Sequence, residues 1–410
     1  MILSITGYYN PVKSQILKLI LCGLICGLAV TKSAAQERDT ASTPDDVIYN
    51  RPFITNIGAS NTSIGGYAEG NTNYFSADGV SDGFSMEMRR FNIFLYSAIG
   101  TNIRFISELE FEEGTEEINL ETALADFEIH PAFILRGGII LPAIGRFNQN
   151  HDGPKWDFVE RPLVSTEIIP STLSEVGFGA HGKFFSGDFT FSYQAYATNG
   201  LQENIILNEE GRTFLPAGKT DDILAEDNNG SPAVNGKIGI SHQRLGDIGF
   251  SYYGGVYNNF RREGEQIAPK RRFHIAAVDL STEIQKLTIK SEIALSFIDI
   301  PGDLDESLGD QQFGGFIDFI YPVFTTRLWN YDNARLNAIL RLERVDFNVG
   351  TFSATGQNIQ DDFNALTVGF SFRPNTNTVV KFNYRQHWID DILGNPIREG
   401  GFQMGIATYF

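Results

Sequence analysis

Two short glycine motifs in this sequence have the spacing of known catalytic or nucleotide-binding sites. Residues 177–182 match the dinucleotide fingerprint GxGxxG, and residues 79–83 match the hydrolase pattern GxSxG. The fingerprint requires a strand before it and a helix after it, whereas here a strand-like apolar run continues to Phe184 and Phe185. The second motif lies in an acidic loop without a following helix. The glycines of both motifs are therefore interpreted as structural and not as parts of a catalytic or nucleotide-binding site.

The histidines are not spaced like the ligands of a metal site. No pair has HExxH or comparable spacing, and the predicted mature chain lacks cysteine, so neither a metal nor a cofactor is expected. A histidine beside a serine or an asparagine on a neighbouring strand could still form a hydrolytic dyad. The protein is predicted not to be an enzyme, with an outer-membrane lipid hydrolase as the alternative. The histidines are His130, His151, His181, His242, His274 and His387.

The first 35 residues have the features of a secretory signal peptide. Lys13 and Lys18 precede an apolar run over 20–30, and small residues at 33–35 suit a signal peptidase. Both cysteines lie within this segment, so the mature chain has no disulfide or thiolate chemistry. The whole chain has 32 basic and 50 acidic residues. An exported protein this acidic is not expected to bind nucleic acid.

Alternating hydrophobicity and turn residues predict sixteen β-strands after residue 61. Short connections follow the even-numbered strands and longer ones follow the odd-numbered strands, as in barrels with short periplasmic turns and long extracellular loops. The link over 323–331 is longer than this rule predicts. The predicted fold is an all-β, 16-stranded antiparallel transmembrane β-barrel. The predicted strands are 62–75, 84–97, 101–112, 118–130, 132–144, 176–185, 188–199, 233–244, 247–258, 271–283, 286–298, 311–322, 332–347, 362–373, 377–388 and 399–410.

The last ten residues alternate between two faces. Phe402, Met404, Ile406 and Phe410 share one face, as expected for a strand that pairs with the first strand and faces lipid. The polar segment 36–61 is too short for a folded plug domain. The predicted organisation is a signal peptide at 1–35, a periplasmic N-terminal lead-in at 36–61 and the barrel at 62–410.

Charged side chains fall on the inward face of many predicted strands. Burying them in a dry core would carry a large desolvation cost, so a water-filled interior is predicted. The inward basic residues either select anions or pair with inward acidic residues to leave a weakly selective wall, and both interpretations remain open. The acidic residues considered as partners are Glu108, Asp126, Glu292, Asp318 and Glu343. The pore-lining candidates are Arg90, Arg104, Arg136, Lys183, Lys237, Lys290, Arg335, Arg341, Arg373, Lys381 and Arg385.

The segment over 146–162 is unusual for an exposed loop. It contains Phe147, Trp156 and Phe158 together with prolines and charges of both signs. Because an exposed loop would place these aromatic rings in solvent, the segment is predicted to fold into the barrel and narrow the channel. The constriction candidates are Lys155, Asp157, Glu160 and Arg161.

Three stretches of the chain resemble the phosphate-selective porins of the O/P type. They are residues 123–146, residues 158–164 with the order Phe-Val-Glu-Arg-Pro-Leu-Val, and residues 366–385. The resemblance implies a sixteen-stranded barrel, usually trimeric, with the third extracellular loop folded inward and basic residues along the pore. This chain departs from that pattern, because its inward basic residues are scattered and its outer loops are acidic. The acidic residues of one such loop are Asp299, Asp303, Asp305, Glu306 and Asp310.

The sequence as a whole predicts an outer-membrane porin through which small hydrophilic solutes or ions diffuse. Anions such as phosphate are included among the candidate solutes, but phosphate selectivity is not carried over from the resemblance. The expected partners are the lipid bilayer, lipopolysaccharide and two further copies of the chain in a homotrimer. A barrel with a closed lumen, serving adhesion or envelope structure, is a further alternative.

Overall fold

The computed structural model describes residues 48–55 and 61–410, except residues 228, 303, 305 and 307. These residues belong to one compact unit. The predicted signal peptide and most of the predicted lead-in lie outside the described residues. So do Asp303 and Asp305 of the acidic loop.

Sixteen antiparallel strands form a closed barrel in which sequential strands are neighbours. A separate hairpin of two short strands, β10 and β11, lies between the barrel strands β9 and β12. The strands are β1 (Thr62–Ala77), β2 (Phe84–Ile99), β3 (Ile103–Glu112), β4 (Glu117–His130), β5 (Phe133–Ile140), β6 (Glu175–Ser186), β7 (Phe189–Thr198), β8 (Ala233–His242), β9 (Gly246–Val256), β10 (Arg261–Arg262), β11 (Glu265–Gln266), β12 (Arg272–Ile284), β13 (Leu287–Ile298), β14 (Gln311–Leu328), β15 (Tyr331–Asp346), β16 (Asp362–Asn375), β17 (Thr378–Asp390) and β18 (Pro396–Tyr409).

The barrel closes between its first and last strands. β1 pairs with β18 from Tyr67 opposite Tyr409 to Ala77 opposite Glu399. Gly66 and Phe410 then exchange both backbone hydrogen bonds, at 3.2 and 3.0 Å. Closure leaves no unpaired sheet edge, which a barrel in a bilayer requires because lipid cannot satisfy backbone groups. The predicted sixteen-stranded antiparallel barrel is confirmed.

Short turns lie at one end of the barrel and longer loops lie at the other. The prediction of a long link over 323–331 is wrong, because β14 continues to Leu328 and turns through Trp329 and Asn330. Register shifts between Pro322 and Phe324 and between Thr326 and Leu328 interrupt the alternation on which the prediction relied. The predicted fifth strand is too long, since β5 ends at Ile140, before Pro142.

The strands alternate between an apolar outer face and an inner face that is polar on some strands and apolar on others. On β18, Phe402, Met404 and Ile406 are exposed, whereas the intervening Gln403 is buried. An apolar outer surface of this kind is typical of barrels that span outer membranes. The GxGxxG motif lies within β6, and the GxSxG motif lies in the loop between β1 and β2. Neither motif precedes a helix.

Within residues 48–55 and 61–410, the described helical structure is confined to short segments. No helix among the described residues is long and apolar enough to span a membrane. The only α-helical turn in this part of the chain precedes β1. The short segments are Pro52–Thr55, Glu113–Thr115, Gly153–Lys155, Val164–Ile168, Glu203–Ile205, Leu215–Gly218 and Asp221–Leu224.

The barrel interior contains an apolar core built by two loops. We call residues 141–174, between β5 and β6, loop 3, and residues 199–232, between β7 and β8, loop 4. Loop 3 contributes Phe147, Trp156 and Val164, and loop 4 contributes Leu201 and Leu215. These side chains pack against inward residues of the wall between β8 and β16. The wall residues include Tyr253, Phe273, Ile275, Phe316 and Val345.

We expect Gly179→Ala to lower the free energy of unfolding by about 1–3 kcal/mol, as overpacking does elsewhere. A Cβ atom at Gly179 on β6 would lie 2.0 Å from the Ala195 carbonyl oxygen on β7. Gly137→Ala on β5 is the matched control, because the nearest atom, Phe178 Cβ, would be 3.7 Å away. Urea unfolding of the barrel in detergent measures both variants. Equal midpoints for the two variants would show that Gly179 is not required for close strand packing.

Candidate functional site: loop 3 inside the barrel

Hydrogen bonds within loop 3 join the beginning of the loop to its end. Asn148 Nδ2 donates to the Pro142 carbonyl oxygen at 2.8 Å, and Asn148 Oδ1 accepts from the Leu173 backbone N–H at 2.8 Å. A single buried side chain therefore joins the first and last turns of the loop. The Trp156 ring packs on Phe147, with ring centroids 4.8 Å apart. The prediction that this segment folds into the barrel is confirmed.

Asp157 fixes the middle of loop 3 to strands β15 and β16. Its Oδ1 accepts hydrogen bonds from Ser371 Oγ at 2.6 Å, Arg373 Nε at 3.0 Å and Asn337 Nδ2 at 3.2 Å. Arg373 also donates to the Pro154 carbonyl oxygen at 2.8 Å. These donors belong to wall strands distant in sequence from the loop, so the loop crosses the interior instead of lining its own side.

The pKa of Asp157, a loop residue, is determined by two opposing effects. Burial would raise the pKa, but Arg373, Lys290 and the hydrogen bonds outweigh burial and hold the pKa well below its usual range. Because the pKa is lowered in the folded protein, the stabilisation is fully present above the unfolded value of about 3.9. The stabilisation is lost only as the pH falls through the lower pKa that Asp157 has in the folded protein.

Glu160 makes a second attachment, to strands β2 and β18. Arg89 donates to both Glu160 carboxylate oxygens, at 3.1 and 2.6 Å, and Gln403 Nε2 donates to Oε1 at 2.7 Å. Arg89 and its neighbour Arg90 both reach the interior because a register shift in the β1–β2 ladder places an extra residue there. Strict alternation along β2 therefore could not identify Arg89.

Arg341 joins the wall to the loop backbone. It forms a bidentate pair with Asp318 on β14, at 2.6 and 2.8 Å, and donates to the Glu160 carbonyl oxygen at 2.9 Å. Its guanidinium carbon lies 4.1 Å from the centroid of the Phe158 ring. The buried charge of Arg341 is thus stabilised by a carboxylate at the edge of its guanidinium group and by an aromatic ring at its face.

The N-terminal segment before β1 also enters the barrel. Arg51 is buried and donates to Asp152 of loop 3 at 3.0 Å and to Glu108 of β3 at 2.9 Å. Asp152 additionally accepts from the Tyr409 hydroxyl at 2.6 Å. The Arg51 guanidinium carbon lies 3.7 Å from the Phe94 ring centroid. The lead-in, loop 3 and two wall strands therefore meet at one buried ionic cluster.

Seven of the eleven pore-lining candidates are buried and form an ion pair with an acidic residue. The expectation that water solvates these inward charges is wrong at these positions, because the inserted segments exclude it. The pairs are Arg90 with Glu69, Glu110 and Glu112, Arg136 with Asp126, Lys237 with Asp279, Arg341 with Asp318, Arg373 with Asp157, Lys381 with Glu69, and Arg385 with Glu343.

The other four candidates are partly or fully exposed. Arg104 pairs with Glu128, and Lys290 Nζ lies 5.0 Å from the centroid of the Trp156 ring. Lys183 is partly exposed and Arg335 is exposed. Their role as pore-lining residues stays a prediction.

Arg161 is the constriction candidate with the least compensated charge. It is partly buried, and its Nε and Nη2 atoms have no hydrogen-bond partner among the described residues. Burial, and next the charge of Arg90, lower the pKa of Arg161, while Glu110 and Glu112 of β3 raise it. Arginine nevertheless stays protonated in proteins. Lys155, by contrast, pairs with Asp152 at 3.1 Å.

Comparison of the sequence with known proteins finds a relative over part of the chain. No protein-family model matches the chain. An uncharacterized protein of Aquifex aeolicus (strain VF5) is 32% identical over 206 residues, which are 48% of this chain and 45% of that relative. The matched region thus spans less than half of the curated relative.

Solved outer-membrane proteins share the architecture of the chain. The outer-membrane channel DcaP of Acinetobacter baumannii has a TM-score of 0.55 and 12% identity, covering 85% of this chain and 97% of that one. OmpF of Salmonella typhi, in complex with daunomycin, has a TM-score of 0.54 and 11% identity, covering 86% and 99%. An anion-selective porin of Comamonas acidovorans has a TM-score of 0.52 and 10% identity, covering 85% and 100%. At these identities the likeness shows the fold, which is that of the outer-membrane porins.

We expect Asp157→Asn to lower the free energy of unfolding by about 3–5 kcal/mol, because Arg373 would remain buried without its counter-charge. Asp332→Asn is the control, since Asp332 pairs with Arg327 on the surface and contributes about 0–1 kcal/mol. Thermal unfolding in detergent measures stability, and limited proteolysis within loop 3 measures its attachment. If both variants unfold and are cleaved like the wild type, Asp157 does not anchor the loop.

Proposed function

We propose that this protein is an outer-membrane channel through which small hydrophilic solutes or ions diffuse, narrowed by loop 3. The observation that carries the proposal is the path of loop 3, which crosses the interior, binds the opposite wall through Asp157 and binds β2 and β18 through Glu160. A sixteen-stranded barrel has an interior wide enough for an aqueous channel. A loop fixed across that interior reduces it to a selective passage without any chemistry.

The proposed passage runs along the charged side of the interior. The wall between β8 and β16 packs against loops 3 and 4 in an apolar core that ions avoid. On this side the partly exposed Glu112 of β3 lies near the partly exposed Arg161 of loop 3, and Arg90 and Glu110 are buried behind them. Solutes would therefore pass between Arg161 and Glu112.

We propose weak charge selectivity for this passage. The resemblance to O/P-type porins suggested phosphate, but ion pairs compensate seven of the eleven inward basic candidates. A constriction that holds a cation on one side and carboxylates on the other favours neither sign strongly, although it orients dipolar solutes. The net charge of −18 for the whole chain adds no preference for anions.

We also propose the export, membrane location and association of the chain. Residues 1–35 direct export, residues 36–61 form the lead-in, and the barrel from residue 62 onwards lies in the outer membrane. Lipid and lipopolysaccharide contact its outer surface, and three copies associate. The porin-like fold and the apolar outer strand faces support this arrangement.

The lipid-hydrolase alternative lacks a supporting dyad among the described residues. His151 and His181 hydrogen-bond to Glu121 and Asp126, and His274 bonds to the Tyr252 hydroxyl. The other three histidines bond to Glu399 or to backbone N–H groups. A channel accounts better for a loop that crosses the barrel than a hydrolase does.

Planar-bilayer recording tests the proposal with Arg161→Gln. The wild type is expected to give steady single-channel conductance. Removing the positive charge from the constriction is expected to raise the permeability of K⁺ relative to Cl⁻ by roughly two- to tenfold. Arg327→Gln, in an exposed pair outside the interior, is expected to keep the wild-type ratio. A silent wild-type protein would instead indicate a structural barrel, and an unchanged ratio in Arg161→Gln would exclude Arg161 from the constriction.

A further inference from the structure

Three buried side chains from separate segments converge beside the ionic cluster of Arg51. They are Glu108 of β3, Glu121 of β4 and His151 of loop 3, and one ligand-type atom from each lies within 4.8 Å of the others. Each side chain is at most 3% exposed. These residues have no metal-binding spacing along the chain, because strand pairing and the path of loop 3 bring them together.

The hydrogen bond at His151 Nδ1 determines which tautomer is present. Nδ1 lies 2.9 Å from the Asn148 carbonyl oxygen, which can only accept, so Nδ1 carries the proton. In the neutral imidazole the lone pair is then on Nε2. The lone pair of Nε2 therefore points at Glu121 Oε2, 3.1 Å away.

Two acceptors in contact need either a proton or a metal ion between them. Glu121 Oε2 and His151 Nε2 both offer lone pairs, and Glu121 Oε1 has no hydrogen-bond partner among the described residues. Other buried carboxylates in this region are matched by cations, as Asp152 is by Arg51 and Lys155. Glu121, by contrast, forms no direct ion pair with lysine or arginine in the described part of the chain, and Arg161 and Lys219 act on its charge only from a longer range.

We propose that Glu108, Glu121 and His151 bind a divalent transition-metal ion of the zinc class. One imidazole nitrogen and two carboxylate oxygens, with water, complete a four-coordinate site for Zn²⁺. Ligands bonded at about 2.1 Å in a tetrahedral site lie about 3.4 Å apart, close to the distance between Nε2 and Oε2. A metal-binding histidine also usually donates its second ring N–H to a carbonyl or carboxylate, as Nδ1 does here.

The surrounding residues hold the carboxylate of Glu108 in place for this role. Asn92 Nδ2 donates to Glu108 Oε1 at 2.7 Å, and Arg51 Nη2 donates to Oε2 at 2.9 Å. Each carboxylate oxygen has a second lone pair, so both bonds are compatible with ligation. The bound ion would join β3 and β4 to loop 3 and so hold the loop against the wall beside the proposed passage.

Calorimetric titration of the full mature barrel in detergent tests this site, after EDTA treatment and with ZnCl₂ as the probe. The wild type is expected to bind one Zn²⁺ per chain. Glu121→Gln keeps the side-chain volume and removes an unpaired buried charge, so it folds and is expected to bind zinc at least tenfold more weakly. His151→Gln is the second variant, and His130→Gln, which alters an exposed histidine, is the control expected to match the wild type.

Binding by Glu121→Gln with wild-type affinity would overturn the metal site, as would the lack of stoichiometric binding by the wild type. In either case the groups share a proton instead of a metal. The outcome is independent of the channel proposal, because binding is measured without a bilayer. A barrel that binds zinc but does not conduct contradicts only the channel, and a conducting barrel that binds no zinc contradicts only the metal site.

Discussion

Compensation of buried charge is the constraint on which the interior of this barrel depends. Lys381 and Arg341 are almost fully buried, and each pairs with an acidic side chain. Breaking such a pair by removing one partner typically costs about 3–5 kcal/mol. Loop 3 satisfies this constraint at Arg373, where Asp157 supplies the counter-charge from the loop itself. The same wall charges that need partners therefore hold the loop in position.

The interior is divided into an apolar region and a charged region, and the proposed passage follows the charged region. Loops 3 and 4 fill one side with apolar side chains such as Leu215 and Val164. The other side keeps ionisable groups of both signs, from Arg161 of loop 3 to Glu112 of β3. The apolar core packs against the loop that carries Arg161, so packing as well as ion pairs would determine the width of the proposed passage.

The strands were predictable from the sequence because their pattern is local. The alternation over 286–298 predicts β13, found at Leu287–Ile298, and the aromatic residues of loop 3 predict its burial. Bulges were not predictable, since they interrupt the period of two on which the interpretation rests, as at Arg89 and near Pro322. The cluster around His151 was missed for a different reason. Its members meet only through the path of loop 3, although the neighbouring strands β3 and β4 already place Glu108 and Glu121 side by side.

The position of loop 3 is tested most directly by a disulfide, since the predicted mature chain has no cysteine. A Cβ atom at Gly314 on β14 would lie 3.1 Å from Val164 Cβ, near the 3.5–4.5 Å typical of disulfides. The double variant V164C/G314C is expected to cross-link spontaneously, as shown by mass spectrometry of the folded barrel without reductant. V164C/G315C is expected to stay reduced, because adjacent strand residues face opposite sides. Equal cross-linking of the two pairs, or none in the first, would contradict the placement of loop 3 inside the barrel.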